Sequence, residues 1–319
     1  MKKILITRKL IKSSEDYASK TFDVKFNRED RIITKDDLIK NSINCDGILS
    51  SLTEKIDAEV ISKLSSSIKI ISNFAVGFGN IDIVAAKKKN IVVTNTPDVL
   101  TDATAEIAML ILLGAARRAK EGTEWTNKKN WKWSADFLMG KQLTGARLGI
   151  LGMGRIGRAL AERARPFGMI IHYYNRSQLD KNLEKGAIYH NSLESLLSVS
   201  DFFSINCPAT KETKHIINKD TLKHFPDGAI LSNSARGDMI DDDAMVEALK
   251  SGKIFSLGLD VYNGEPNIHP EYLTLPNVFV LPHLGSATIK TRTAMGNLAV
   301  SNLEEFFKTG KCVNCVNLN

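Results

Sequence analysis

The 319-residue chain is short of the features that mark secreted, membrane-spanning or disordered proteins. Its four cysteines do not form a disulfide framework in a chain of this size. No apolar run approaches the roughly 20 residues that cross a bilayer. The longest, residues 108–116, is closed by Arg117 and Arg118. The opening MKKILITRKL meets Thr7 and Arg8 too soon for a signal peptide and reads as a first strand. There is no repeat of fixed period and no low-complexity tract. No basic patch is interleaved with aromatics in the way that grips nucleic acid. These absences lead us to expect a cytoplasmic protein with neither nucleic-acid nor membrane partners.

Cys312 and Cys315 form a C-x-x-C near the end of the chain. Without a second pair it reads as plain tail, and no metal is expected. The hydrophobic content of 43% and charged content of 25% are ordinary for a globular protein, and the length suffices for two cored domains. The net charge of +7 is scattered along the chain, which suits anionic small ligands.

The most informative stretch is RLGILGMGRIGRALAERARPFGMIIHYYNRS, residues 147–177. Residues 147–151 read as a buried parallel strand. Gly152, Gly154 and Gly157 follow as G-x-G-x-x-G. Residues 156–167 have helical spacing, Gly168 stops them, and residues 169–174 form a second strand. Gly152 permits the turn, Gly154 lets a pyrophosphate approach the backbone, and Gly157 lets helix and strand pack closely. The phosphates would rest on the N–H groups at the helix start. At the end of the second strand an NAD site usually carries Asp or Glu. Here stand Asn175, Arg176 and Ser177. Nothing in this triplet repels a 2′-phosphate, and Arg176 and Ser177 can bind one, so NADP(H) is expected over NAD(H), with NAD(H) as the alternative.

Along the chain, residues 4–7, 47–50, 68–72 and 91–94 read as strands, with helices at 57–64 and 80–89 between them. Residues 95–98 mark a boundary, and a helix is expected over 101–120. Trp125, Trp131 and Trp133 cluster after it, as a subunit contact, a pocket lid or core. Counted from Arg147, seven strand-like runs follow one another: 147–151, 169–174, 187–190, 201–205, 228–232, 255–260 and 278–281. That is a full doubly wound sheet. A last helix over 286–307 is expected to return to the first domain. The fold class is therefore α/β with two doubly wound parallel sheets. The expected division is a split domain of residues 1–99 and 285–319 with residues 100–284 inserted.

Ligands of such sheets bind beyond the carboxyl ends of the strands. Arg236, Glu265 and His283 lie at or just past three of those ends. A guanidinium can hold a carboxylate and polarise a carbonyl. An imidazole can pass a proton near neutral pH, and a neighbouring carboxylate orients it and favours its charged form. The set suits hydride transfer to a 2-oxo acid.

The chain resembles the D-isomer-specific 2-hydroxyacid dehydrogenase family over nearly its whole length. The matching blocks are residues 73–82 (NFAVGFGNID), 152–157 (GMGRIG), 206–208 (NCP) with Glu212 and Thr213, 233–237 (NSARG), 259–262 (LDVY), 264–266 (GEP) and 282–286 (PHLGS). The resemblance implies Arg236, Glu265 and His283 as the catalytic set. It implies Val76 and Gly77 as backbone donors to the substrate carboxylate, with Leu52 narrowing the pocket. Around the cofactor it implies Thr104, Arg155, Ile156, Cys207, Pro208, Thr213 and Ala235, with Asp260 on the nicotinamide carboxamide. It further implies a Rossmann domain inserted into a flavodoxin-like substrate domain, and a homodimer built partly on the helix after Thr101. Within the family the chain is most similar to the glyoxylate/hydroxypyruvate reductases. The expected activity is NADPH-dependent reduction of those 2-oxo acids to glycolate and D-glycerate. The alternatives are another D-2-hydroxy acid, such as 2-ketogluconate, phosphoglycerate or a larger keto acid, or a non-enzymatic, corepressor-like dinucleotide sensor.

Overall fold

The computed structural model describes residues 1–129 and 131–317. The chain forms two compact units, Met1–Leu100 with Ser286–Asn319, and Thr101–Gly285.

The first unit holds five parallel strands: β1 (Lys3–Ile6), β2 (Asp23–Phe26), β3 (Gly47–Ser51), β4 (Ile70–Phe74) and β5 (Val92–Thr94), in the order β2-β1-β3-β4-β5. Alternate residues face opposite sides of a strand. Leu5, Ile48, Ile71 and Val93 accordingly enter one core, and Ile4, Ile6, Leu49, Ile70 and Val92 the other. The first face is covered by short helices capped by Thr34, Asp57 and Asp82, each accepting N–H bonds at a helix start. The second is covered by the helix Lys12–Thr21 and by the last helix, Ile289–Thr309, where the Ser72 hydroxyl donates to the Ala299 carbonyl over 2.9 Å. The strand expected at 68–72 runs two residues later. β2 was not anticipated: Asp23-Val24-Lys25-Phe26 has only two apolar residues and lies on a half-exposed sheet edge, so its periodicity is faint.

The second unit holds seven parallel strands: β6 (Arg147–Leu151), β7 (Ile170–Tyr174), β8 (Ile188–His190), β9 (Phe202–Ile205), β10 (Ala229–Asn233), β11 (Ile254–Leu259) and β12 (Val278–Val280). Their order is β12-β11-β10-β9-β6-β7-β8, and the winding direction reverses between β6 and β9. The glycine-rich helix, Arg155–Ala164, runs into a short 3₁₀ turn that ends at Gly168, whose φ of 75° needs no side chain.

The helix expected over 101–120 ends at Ala116. Arg118 takes a left-handed φ of 54°, and a second helix, Ala119–Asn127, begins. Trp125 lies in that second helix, edge-on to Phe137, while Trp131 and Trp133 are exposed. The first helix is buried along most of its length. A Cβ on Gly258 would come within 2.3 Å of the Ile111 carbonyl oxygen, so β11 and this helix are in backbone contact. Among the described residues no helix is long and apolar enough to cross a membrane.

Candidate active site

Because all seven strands of the second unit are parallel, their carboxyl ends lie along one sheet edge. The predicted cofactor and catalytic residues follow those ends, except Thr104, which lies in the helix Thr101–Ala116.

The loop after β6 is shaped by contacts that allow only glycine at two of its three motif positions. Gly152 has a φ of 92°, and a Cβ there would lie 2.5 Å from the Cys207 amide nitrogen. A Cβ on Gly157 would lie 2.3 Å from the Gly152 oxygen. Gly154 differs, since a Cβ there would meet nothing within 4 Å. Gly154 is also the N-cap of the Arg155–Ala164 helix, and no side chain caps that helix start. Open space over uncapped N–H groups at the positive end of a helix fits a diphosphate. Two buried polar atoms nearby have no protein partner, Asn206 Oδ1 beyond β9 and Ser234 Oγ beyond β10. A polar ligand at this edge would satisfy them. A dinucleotide therefore fits the residues present.

At the end of β7 the Asn175 side chain accepts the Met153 N–H at 2.7 Å, which clasps the glycine loop. Arg176 and Ser177 are exposed beside it. Beyond β9 the Thr213 hydroxyl donates to the Pro208 carbonyl at 2.9 Å and accepts from the Thr210 N–H at 2.8 Å, closing that loop. Burial pushes the Cys207 thiol up to about 11, so it stays neutral and serves as a packing group rather than a nucleophile.

Side chains carry the charge at the other strand ends. After β10, Asn233 accepts the Ala235 N–H at 2.9 Å and donates to the Arg236 carbonyl at 2.8 Å, which folds the turn that presents Arg236. Gly237 must follow, because a Cβ there would sit 1.8 Å from the Tyr262 carbonyl carbon. The Arg236 guanidinium donates to the Ala235 carbonyl at 2.6 Å. Burial pulls its pKa below the usual arginine range, opposed by the charges of Glu265 and Asp238. Arginine keeps its proton regardless.

Glu265 accepts the Tyr262 N–H on Oε1 at 2.9 Å and faces His283 Nδ1 with Oε2 at 2.7 Å. Burial favours its neutral form. The hydrogen bond and charge of His283, the Tyr262 N–H and the charge of Arg236 outweigh that, and the carboxyl sits below its usual range. His283 has a φ of 55°, a left-handed backbone that costs an ordinary residue roughly 1–2 kcal/mol. The loop is held there by Asp260, whose two oxygens accept the N–H groups of Leu284 at 2.6 Å and Gly285 at 2.8 Å. The Thr104 hydroxyl donates to the Gly285 carbonyl at 3.1 Å. Asp260 is only 1% exposed, and burial raises its carboxyl pKa against the pull of those N–H bonds. Asp260 and Thr104, predicted at the cofactor, thus also fasten the histidine loop. Asn233 and Tyr262 stood within the matching blocks but were given no role; the signal available for Asn233 was an Asn at a strand end two residues before Ala235.

Leu52, Val76 and Gly77 lie in the first unit, just past the carboxyl ends of β3 and β4. Among the described residues no cluster of three His, Cys, Asp or Glu could hold a metal ion.

The family model described as D-isomer specific 2-hydroxyacid dehydrogenase, NAD binding domain, matches residues 109–285. The chain is 44% identical over 309 residues to a glycerate dehydrogenase of Hyphomicrobium methylovorum, covering 96% of each protein. It is 41% identical over 309 residues to a glyoxylate reductase of Thermococcus kodakarensis, covering 95% of this chain and 92% of that one. A solved NADPH-dependent glyoxylate/hydroxypyruvate reductase of Sinorhizobium meliloti, in complex with NADP and malonate, superposes with a TM-score of 0.86 at 32% identity, covering 99% of this chain and 96% of that one. With its Rossmann sheet, its open glycine loop and a carboxylate-backed histidine at one edge, the chain belongs to the D-isomer specific 2-hydroxyacid dehydrogenase family of oxidoreductases.

Proposed function

We propose that the protein reduces small 2-oxo acids, glyoxylate and hydroxypyruvate foremost, with NADPH as the preferred coenzyme. The observation that carries this reading is the 2.7 Å contact between His283 Nδ1 and Glu265, beside half-buried Arg236 on the edge that bears the open glycine loop.

A bound nicotinamide would supply the hydride to the carbonyl carbon. The remaining task is to hold the acid and protonate its oxygen. Arg236 binds the substrate's carboxylate and carbonyl through its planar donors. Glu265 occupies His283 Nδ1, so Nε2 is the ring atom that delivers the proton. Glu265 fixes the orientation of the ring through Nδ1, so that Nε2 stays turned toward the substrate oxygen. The backbone N–H groups of Val76 and Gly77 are assigned to the substrate carboxylate, and Leu52, 39% exposed, to the side that limits substrate size.

The coenzyme preference rests on the end of β7, where Asn175 is neutral and Arg176 and Ser177 are exposed with no acid among them. The S. meliloti structure contains NADP, which supports the same choice. The match to a glycerate dehydrogenase supports hydroxypyruvate and D-glycerate as one pair of the reaction, run in either direction. Trp131 and Trp133, 89% and 78% exposed, support a homodimer in which a second subunit covers them, and the four unpaired cysteines support a cytoplasmic location.

Initial rates with a panel of 2-oxo acids and both coenzymes test the whole reading. The expected result is the highest kcat/KM for glyoxylate or hydroxypyruvate with NADPH. No turnover of any 2-oxo acid would sink the activity, and a clear NADH preference would sink the coenzyme choice alone.

A further inference from the structure

The loop after β4 contains the two N–H groups assigned to the substrate carboxylate, and its conformation is imposed from outside the loop. The Thr96 N–H donates to the Ala75 carbonyl at 2.9 Å. The Asn95 side chain donates to the Val76 carbonyl at 2.8 Å. Asn73, fully buried, donates to the Gly77 carbonyl at 3.0 Å. Three successive carbonyls are therefore held by side-chain or backbone donors.

A trans peptide is planar, and its N–H points opposite to its C=O. Pinning the Ala75 carbonyl on Thr96 turns the Val76 N–H away from residues 95 and 96. Pinning the Val76 carbonyl on Asn95 turns the Gly77 N–H the same way. Among the described residues neither N–H has a protein acceptor. Two adjacent donors facing one side form a small anion-binding concavity.

Asn95 is itself anchored at both backbone groups. Its N–H donates to the Asn314 carbonyl at 3.2 Å, and its carbonyl accepts from the Asn302 side chain at 3.0 Å. Asn314 in turn donates to Asn302 Oδ1 at 2.9 Å. The last helix and the turn after it thus hold the amide that holds the loop.

We infer that Asn95 is a positioning residue for substrate binding: its side-chain amide orients the peptide linking Val76 to Gly77, so that the loop's N–H groups face the substrate carboxylate. This rests on the carboxylate role proposed for that loop. Asn95 touches neither substrate nor coenzyme in this account, so its loss should appear in carboxylate affinity and not in coenzyme affinity or chemistry.

The test compares the intact protein with Asn95→Ala and Asn95→Asp, using glyoxylate KM, the inhibition constant of oxalate, kcat and the NADPH dissociation constant. Asn95→Ala should raise KM and the oxalate constant about tenfold, the scale of one lost hydrogen bond. Asn95→Asp should raise them further, since a carboxylate cannot donate and repels the Val76 oxygen. NADPH affinity should stay unchanged and kcat should stay within about twofold. If Asn95→Ala does not fold, Asn302→Ala, which frees only the Asn95 carbonyl, should raise the oxalate constant by a smaller factor with NADPH affinity unchanged. Unaltered oxalate constants, or parallel losses of kcat and NADPH binding, overturn the assignment. If the unmodified protein neither turns over a 2-oxo acid nor binds oxalate, the carboxylate reading itself fails, and this inference with it.

Discussion

The loop after β6 and the loops after β10, β11 and β12 share one sheet edge but are built from opposite materials. The first holds charge with backbone. Its donors are the N–H groups of a helix start, its glycines keep side chains out, and Gly154 opens onto empty space. The others present charge on part-exposed side chains, Arg236, Glu265 and His283, each placed by a second residue, Asn233, Tyr262 or Asp260. A coenzyme phosphate is charged throughout the reaction, so fixed dipoles suit it. A carbonyl oxygen becomes charged only as the hydride arrives, so it needs a group that can part with a proton.

Four substitutions test that contrast. The largest effect is expected at the side-chain end: His283→Ala should lower kcat by roughly 10²–10⁴, the scale of a lost general acid. NADPH affinity, measured by fluorescence titration, should be nearly intact. A comparable loss of NADPH binding would show that the two ends are not separable.

The backbone end should respond in the opposite manner. Gly154→Val puts its Cβ into open space, with no protein atom within 4 Å of it, so the melting temperature should hold. NADPH binding should weaken roughly 10–100-fold, if overpacking against the ligand costs about 1–3 kcal/mol. A stable variant with normal coenzyme affinity would remove the diphosphate from this loop.

Arg176→Ala should act on one coenzyme only. Losing a hydrogen bond to a phosphate on an exposed surface is worth about 1 kcal/mol, so kcat/KM for NADPH should fall about fivefold while that for NADH stays level. Equal losses with both coenzymes would relocate the 2′-phosphate.

The smallest effect concerns pH. The Glu265 carboxyl is held below its usual range, so its ionised form stabilises the fold at pH values above the unfolded value of about 4.3. That contribution fades as pH falls through the lower folded value. Glu265→Gln should therefore melt below the unmodified protein at pH 6, and the gap should close under about pH 4. The site is partly exposed and screened, so the gap is expected to be small. A gap that persists unchanged at pH 3 would argue against the ionised pair.

Legibility in the sequence followed the same contrast. The glycine loop could be read directly, because its strand, turn and helix are adjacent and its spacing is a steric requirement. All seven strands of that sheet were legible, the inner ones because buried parallel strands are nearly continuous apolar runs. β2 was not, since an edge strand with one wet face carries few apolar residues. The break at Arg118 was not either: the pattern stays helical, and the helix ends where Ser256 of β11 donates to the Ala115 carbonyl and Arg118 turns left-handed.

Asp260 was expected at the nicotinamide, and the structure adds that both its oxygens hold the two residues after His283. Asn95 looked like part of a boundary, because its target, the Val76 carbonyl, lies 19 positions away.

The α/β class, the seven-strand count, the dinucleotide loop and the three side chains proposed for the chemistry followed from the sequence alone. These depend on local spacing, on steric demands of single residues and on the charge of side chains. Only the tertiary structure decided which amides and carboxylates act as fasteners, where the long helix breaks and which N–H groups are turned outward. Those outcomes depend on hydrogen bonds between residues far apart in the chain, and their directions are set when the strands and helices pack.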